Sequence, residues 1–346
     1  MKPVILITGG CGYIGSHTIL ELLSQDIYDV VSIDNFSNSS PRALDRIKAI
    51  SGREVLNYNM DLCDLPALRQ VFAAHPHIVG VIHFAALKAV GESVEKPLDY
   101  YGNNFLSMIN ILRCSEETGV KYVIFSSSCS IYGNIEKLPV NEDTPVADPE
   151  SPYAYTKLAG ERILRDAVHA STHVQAISLR YFNPVGGHIS GLNGEQPLGR
   201  PNNLVPVITQ TAAGWIPQMT VYGGDYPTRD GSCIRDYVHV TDLALAHLKA
   251  IDYLAAGKNE HRYEAFNLGS GEGVTVLEAI HAFEQYTGQR LNYQVGPRRP
   301  GDVVAIYSDC SHARERLGWE PAFGIDVMMA TAWKWQELLN HERELA

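Results

Sequence analysis

The sequence has no apolar run long enough to cross a membrane as a helix, since such a span needs about 18 or more consecutive apolar residues. Positive charge is also scarce: 28 lysines and arginines stand against 39 aspartates and glutamates, a formal net charge of -11. A broad basic surface for nucleic acid is therefore not expected, and any anionic ligand must be held by a few local cations. The six cysteines include no C-x-x-C pair, which argues against a zinc ribbon and against a disulfide framework. The thirteen histidines include no H-E-x-x-H or similar ligand spacing, so no metal is expected. Met1-Lys2-Pro3 leads directly into a five-residue apolar stretch without a targeting pattern, and a reducing cytoplasm is the expected location. Repeats and low-complexity tracts are absent from the sequence.

What is present is an alternation. Short β-branched runs at Val4–Ile7, Val30–Ile33, Val55–Tyr58, Val79–Phe84, Tyr122–Ser126 and Val174–Leu179 are separated by helical patterns. The helices are expected near Tyr13–Ser24, Pro41–Ser51, Leu65–Ala74, Pro97–Thr118 and Tyr153–Ala170. Strands apolar on both sides must be buried on both faces, which predicts an α/β fold with a doubly wound parallel (Rossmann) sheet. From about residue 181 the alternation loosens into a stretch rich in Gly, Pro and Asn, as expected for a second, smaller α/β unit. The expected division is 1–180 and 181–346, with Arg235–His239 and the helical pattern to Ala256 rejoining the first sheet at about 235–257.

The first strand ends in Thr8-Gly9-Gly10-Cys11-Gly12-Tyr13-Ile14-Gly15. In a strand–turn–helix setting, G-x-x-G-x-x-G allows a tight turn, close approach of a pyrophosphate to the backbone, and helix packing on the strand. Asp34, nineteen residues beyond Gly15 at the end of the second strand, suits the adenosine ribose hydroxyls and would repel a 2′-phosphate, so NAD is preferred to NADP. Farther on, Phe125-Ser126-Ser127-Ser128 ends a strand, and Ser151-Pro152-Tyr153-Ala154-Tyr155-Thr156-Lys157 opens a helix. Tyr153 and Lys157 share a helical face, where an ammonium beside a phenol is expected to favour the phenolate for proton transfer. Tyr155 faces elsewhere. Ser128 is the favoured third member, with Ser126 and Ser127 left open by spacing.

These motifs, with H-F-A-A-L-K-A-V-G-E-S, R-Y-F-N-P-V-G, N-N-L-V-P and P-R-R-P-G-D in the same order, resemble the UDP-glucose 4-epimerase family of the extended short-chain dehydrogenase/reductases along nearly the whole chain. The resemblance implies that Tyr153 takes the proton of the sugar 4-hydroxyl while NAD accepts the C4 hydride. The 4-keto sugar then turns over, and hydride returns to the opposite face of it. By the same resemblance the cofactor would meet Gly9, Gly12, Tyr13, Ile14 and Gly15, then Asp34, Asn35, Asn38 and Ser39, then Asp61 and Leu62. Phe84, Ala85, Ala86 and Lys88 would follow, with Asn103, Tyr153, Lys157 and Tyr181 completing the set.

For the substrate, the resemblance implies Ser128 and Tyr153 at the sugar, and Asn183, Asn203, Leu204 and Tyr222 along the nucleotide. Arg235 and Arg299 would take the diphosphate and Asp302 the uridine ribose, with Arg298 the lesser candidate. Ile306 stands where the family commonly has tyrosine or cysteine. Tyrosine there is associated with excluding N-acetylated sugars, so UDP-N-acetylglucosamine stays open. A homodimer is implied through Pro97–Thr118 and Tyr153–Ala170. Cys129, His17 and His83 are expected to pack rather than react. The alternatives are a nucleotide-sugar 4,6-dehydratase, whose T-D-E would occupy the places of Ser128, Cys129 and Ser130, and a noncatalytic NAD-binding sensor.

Overall fold

The computed structural model describes residues 2–345 except 147, 300 and 301. Its larger layer begins with β1 (Val4–Thr8), α1 (Tyr13–Gln25), β2 (Asp29–Ile33), α2 (Arg42–Ser51), β3 (Leu56–Tyr58) and α3 (Leu65–Ala74). It continues with β4 (Ile78–His83), α4 (Val90–Glu95), α5 (Pro97–Thr118), β5 (Tyr122–Ser128), α6 (Pro152–Ala170) and β6 (Gln175–Tyr181). The short helix α4 lies in a segment where no helix is expected. Both β5 and β6 run two residues past their expected ends, which carries Ser128 and Tyr181 to the rim of the sheet.

The remaining elements are β7 (Asn183–Val185), α7 (Leu204–Ala212), β8 (Met219–Tyr222), β9 (Ile234–His239) and α8 (Val240–Ala255). They end with β10 (Tyr263–Leu268), β11 (Gly273–Thr275), α9 (Val276–Thr287), β12 (Tyr293–Gly296), β13 (Ala305–Ile306) and α10 (Ile325–Glu344). Seven strands form one parallel sheet in the order β10-β6-β5-β4-β1-β2-β3. The chain moves outward from β1 to β3 and then crosses back to β4. That reversal opens a crevice beyond the carboxyl ends of β1 and β4, where open α/β sheets bind ligands.

The expected return of 235–257 is made by its helix, while its strand goes elsewhere. Strand β9 lies in the middle of the small sheet, paired with β11, β13 and β7, because its partners there satisfy its backbone groups. It is α8 that packs on α1, and β10 that joins the edge of the large sheet beside β6. The chain then comes back a second time: Ala313, Leu317 and Trp319 are buried in the same apolar cluster as Ile5, Ile7, Ile19 and Phe266. A separate cluster built on Val205, Ile208, Phe283 and Met329 forms the core of the smaller unit.

One buried ion pair pins the large sheet to its helical cover. Arg180 on β6 grips Glu161 of α6 with Nε and NH2 at 2.9 and 2.8 Å, and Ser127 Oγ donates to the same carboxylate at 2.6 Å. Burial opposes the charge on Arg180, yet the hydrogen bonds and attraction of Glu161 outweigh it and keep the guanidinium charged. Such a pair stays tolerable out of water only because both partners are fully hydrogen-bonded.

Candidate active site

The turn after β1 is shaped by what glycine lacks. Gly9 has φ +71°, and a Cβ on it would lie 2.9 Å from the Ala85 nitrogen. A Cβ on Gly15 would collide with the Gly9 carbonyl oxygen, so α1 can close on the turn only without one. Gly12, at the N-cap of α1, makes no side-chain cap, and the first turn carries no acidic residue. Uncapped N–H groups at a helix start, in a cradle that side chains would fill, fit a dinucleotide pyrophosphate.

Beyond β2, Asp34 is nearly buried, with Oδ2 accepting from Cys11 N at 2.9 Å and Oδ1 from Ser39 Oγ at 2.6 Å and Phe36 N at 2.9 Å. Asn35 caps Ser37 N at 3.0 Å, and Asn38 is exposed beside it. Asp61 and Leu62 stand after β3, where Asp61 Oδ1 accepts from Cys63 N at 2.8 Å. Phe84, Ala85 and Ala86 follow β4 directly, while Ile14 packs into the main core. The Tyr181 hydroxyl instead meets the ring of buried His247. The Tyr13 hydroxyl donates to the Gly186 carbonyl at 2.6 Å, so this residue bridges to the smaller unit.

No motif marks Asn104, which organises the neighbouring loop. Its amide bonds both backbone groups of Leu87, at 2.8 and 3.0 Å, and Thr156 Oγ1 of α6 at 3.0 Å, and Asn103 Nδ2 donates to its oxygen at 2.9 Å. A buried asparagine spends its whole bonding capacity here, and only the folded geometry reveals it.

Helix α6 starts at Ser151, whose Oγ accepts from Ala154 N at 3.2 Å, with Pro152 in the first turn. Tyr153 and Lys157 follow one turn apart. Lys157 is 4% exposed, and its Nζ donates to the Ser126 carbonyl at 2.6 Å while standing 5.8 Å over the Tyr153 ring. Burial pulls this amine down to about 7. Burial also pushes the Tyr153 phenol up to about 12, and hydrogen bonding from Ser128 pulls the other way. In the protein alone burial dominates the phenol, and the Lys157 amine is bonded to the strand end.

The three serines separate by geometry. Ser127 Oγ is consumed by Glu161, Ser126 offers its carbonyl to Lys157, and Ser128 stands beside the Tyr153 phenol. Ser128 Oγ also accepts from Ser130 N at 3.2 Å. Behind it, the thiol of Cys129 is pushed up to about 12 by burial, so it is a poor nucleophile.

Across the crevice, Arg235 NH1 donates to the carbonyls of Ile234 and Val303 at 2.8 and 2.9 Å. Arg235 NH2 lies 3.4 Å, and Arg299 NH2 2.9 Å, from one oxygen of Asp302. One carboxylate cannot neutralise two guanidiniums, so a surplus positive charge remains at this point of an acidic chain. The Arg299 guanidinium lies 5.8 Å over the ring of exposed Tyr222, whereas Arg298 is turned toward Asp225 and Tyr226. Asn183 opens β7, and Asn203 and Leu204 stand at the start of α7. Ile306 is buried with Ile131, Tyr132 and Phe182, with Cys129 packed against them.

Comparison with known proteins places this geometry. A family model described as GDP-mannose 4,6 dehydratase matches residues 6–332. A UDP-glucose 4-epimerase of Erwinia amylovora is 48% identical over 332 residues, which cover 96% of this chain and 97% of that protein. The chain belongs to this nucleotide-sugar family, on its UDP-glucose 4-epimerase branch. Crystal structures agree. That of a UDP-glucose 4-epimerase from Stenotrophomonas maltophila, with bound NAD and formylated UDP-arabinopyranose, superposes with a TM-score of 0.94 at 41% identity, covering 98% of this chain and 99% of that one. The Bifidobacterium longum UDP-glucose 4-epimerase, in complex with NAD+ and UDP, gives 0.92 at 46% identity, covering 97% and 98%.

The epimerase branch also accounts for what the site lacks as a dehydratase. Elimination of water needs an added acid and base, yet Ser128, Cys129 and Ser130 supply none, and Glu161, which Ser127 Oγ contacts, is locked on Arg180.

The low folded value of Lys157 sets a sign for stability. An unfolded lysine titrates near ~10.4, so below about pH 7 both states carry the proton and the buried charge opposes folding in full. As pH rises from about 7 toward ~10.4, the folded chain sheds its proton first and the penalty is relieved. Lys157→Met is therefore expected to stabilise the NAD-free chain more at about pH 6 than at about pH 9, by about 2–3 kcal/mol, in urea unfolding followed at both values.

Proposed function

We propose that this UDP-glucose 4-epimerase performs its chemistry with Tyr153 as the acid–base group, Ser128 as its hydrogen-bonding partner and Lys157 as the group that sets their protonation. The chain interconverts UDP-glucose and UDP-galactose by inverting C4. The observation that carries the assignment is the buried Lys157, whose Nζ is held by the Ser126 carbonyl at 2.6 Å and lies 5.8 Å over the Tyr153 ring. NAD, when bound, supplies the acceptor and donor of the C4 hydride.

The glycine turn and Asp34 hold the two ends of its adenosine diphosphate half; Asn35, Asn38, Ser39, Asp61, Leu62, Phe84, Ala85, Ala86, Lys88, Asn103 and Tyr181 line the rest. Tyr153 removes the proton from the sugar 4-hydroxyl oxygen and later returns it, and Ser128 keeps that oxygen oriented. Residues 1–180, with the returns at 240–268 and 310–319, serve the cofactor, and the remainder of 181–346 serves the UDP-sugar. Arg235 and Arg299 clamp the diphosphate, Asp302 the uridine ribose, and Asn183, Asn203, Leu204 and Tyr222 the path between. An anchor so far from C4 binds either face of the sugar equally well, which leaves the ring free to turn.

The chain also accepts the N-acetylated pair. Ile306 is drawn back into a cluster with Phe182 and Tyr132, so this position sets no phenol against the sugar. The protein works in the cytoplasm, in galactose metabolism, as a homodimer. Support for the dimer comes from an apolar stripe along α5 and α6, where Leu98, Leu106 and Tyr155 are exposed and Tyr101 stacks on Phe105. Paired across a twofold axis, those helices make a four-helix bundle.

Three measurements check these assignments. With UDP-galactose, Tyr153→Phe is expected to form UDP-glucose about 100- to 10,000-fold more slowly while keeping NAD; product formation at the parent rate sinks the assignment. Ile306→Tyr is expected to abolish turnover of UDP-N-acetylglucosamine and leave UDP-glucose within about threefold, a loss of roughly 1 kcal/mol or less. Light scattering should return twice the chain mass, falling to one chain for Leu106→Arg.

A further inference from the structure

The loop between Gly186 and Asn203 belongs to the smaller unit by sequence, yet it is stitched to the dinucleotide unit. Tyr13 of α1 donates to Gly186 O at 2.6 Å, Asn193 Nδ2 donates to Ser16 Oγ at 2.9 Å, and Arg46 NH1 of α2 donates to Gln196 Oε1 at 2.9 Å. Between these stitches lies Glu195, whose side chain is only 11% exposed. A single oxygen of it, Oε1, accepts from Asn203 Nδ2 at 2.7 Å and stands 3.7 Å from Lys88 Nζ. Its own backbone is fixed, because Trp335 Nε1 donates to Glu195 O at 2.9 Å and the Trp335 ring carries the Arg46 guanidinium 4.5 Å from its centre. Glu195 therefore touches one residue assigned to the cofactor and one assigned to the nucleotide.

We propose that Glu195 is a positioning residue that couples retention of NAD to occupancy of the UDP-sugar site; this rests on the assignment of Lys88 and Asn203 above. The bond from Asn203 sets where the carboxylate stands. With Asn203 bonded at 2.7 Å, the Lys88 ammonium is left beyond hydrogen-bond distance. When a uridine diphosphate takes the Asn203 amide, the oxygen is released and Lys88 closes on it. The segment after β4 is then drawn against the loop, and the route by which NAD leaves is narrowed. The Glu195 carboxylate is mostly buried while the Lys88 side chain is half exposed, and their ion pair gains strength as it shortens. The effect is reciprocal, since an increase in NAD affinity caused by UDP requires an equal increase in UDP affinity caused by NAD.

The test is exchange of bound NAD for labelled NAD in the purified holoenzyme, with and without saturating UDP, alongside kcat and KM for UDP-galactose. In the parent, UDP is expected to slow exchange at least about fivefold. Glu195→Gln keeps a carbonyl for Asn203 but offers Lys88 no charge, so KM should stay near the parent's while UDP ceases to slow exchange. Glu195→Ala removes both contacts, so exchange quickens and KM rises, with kcat per NAD-loaded chain little changed. Equal slowing by UDP in the parent and in Glu195→Gln overturns the proposal. So does a fall in melting temperature with the ratio of exchange rates intact, which marks Glu195 as merely structural. A parent that epimerises but shows no UDP effect removes the coupling alone; a parent that neither holds NAD nor epimerises removes the functional assignment with it.

Discussion

The hydrogen bond from Lys157 Nζ to the Ser126 carbonyl, 2.6 Å long and nearly out of water, fixes the register of α6 against the end of β5. Everything reactive is set from that point. Tyr153 lies one helical turn back along α6, and Ser128 lies two residues on along β5, so one bond brings phenol and hydroxyl to the same edge of the sheet. The bond satisfies the amine while burial strips it of hydration. The lysine is thus held in place and left ready to lose its proton, a combination that an exposed lysine cannot offer.

The electrostatics elsewhere follow the same economy of charge. In this acidic chain two points suited to a diphosphate are built differently. At the glycine turn the attraction comes from backbone N–H groups and the α1 dipole, without any cationic side chain in the first turn. Across the crevice it comes from Arg235 and Arg299, which outnumber the single carboxylate between them. The first arrangement suits a ligand that stays, because it is part of the main chain. The second suits one that comes and goes, because side chains can exchange Asp302 for phosphate.

Much of this was legible in the sequence wherever the signal was local or periodic. The six apolar runs fell on β1 to β6, and the glycine spacing and the Tyr153–Lys157 spacing predicted their turn and helix, since each depends only on neighbours along the chain. What stayed hidden depends on distant partners. Ser128 was already favoured, but what occupies Ser127 is a glutamate 34 residues away, and the direction in which Tyr153 is shifted rests on burial. Asn104 and Glu195 carry no motif, and their importance lies in which loops they join. The run around β9 misled because a short strand leading into a helix looks the same whichever sheet receives it.

The double return of the chain to the large sheet has a consequence for how the molecule is made. Trp319 and Phe266 pack in the same cluster as Ile5, although more than 300 residues separate the first from the last. On the ribosome, β1 to β6 emerge early, while the strand that covers their open edge and the indole that seals their core are still untranslated. N-terminal folding during synthesis is therefore halted short of completion. Until β10 is made the nascent sheet keeps one raw edge, and the gap in its packing outlasts that edge until Trp319 follows.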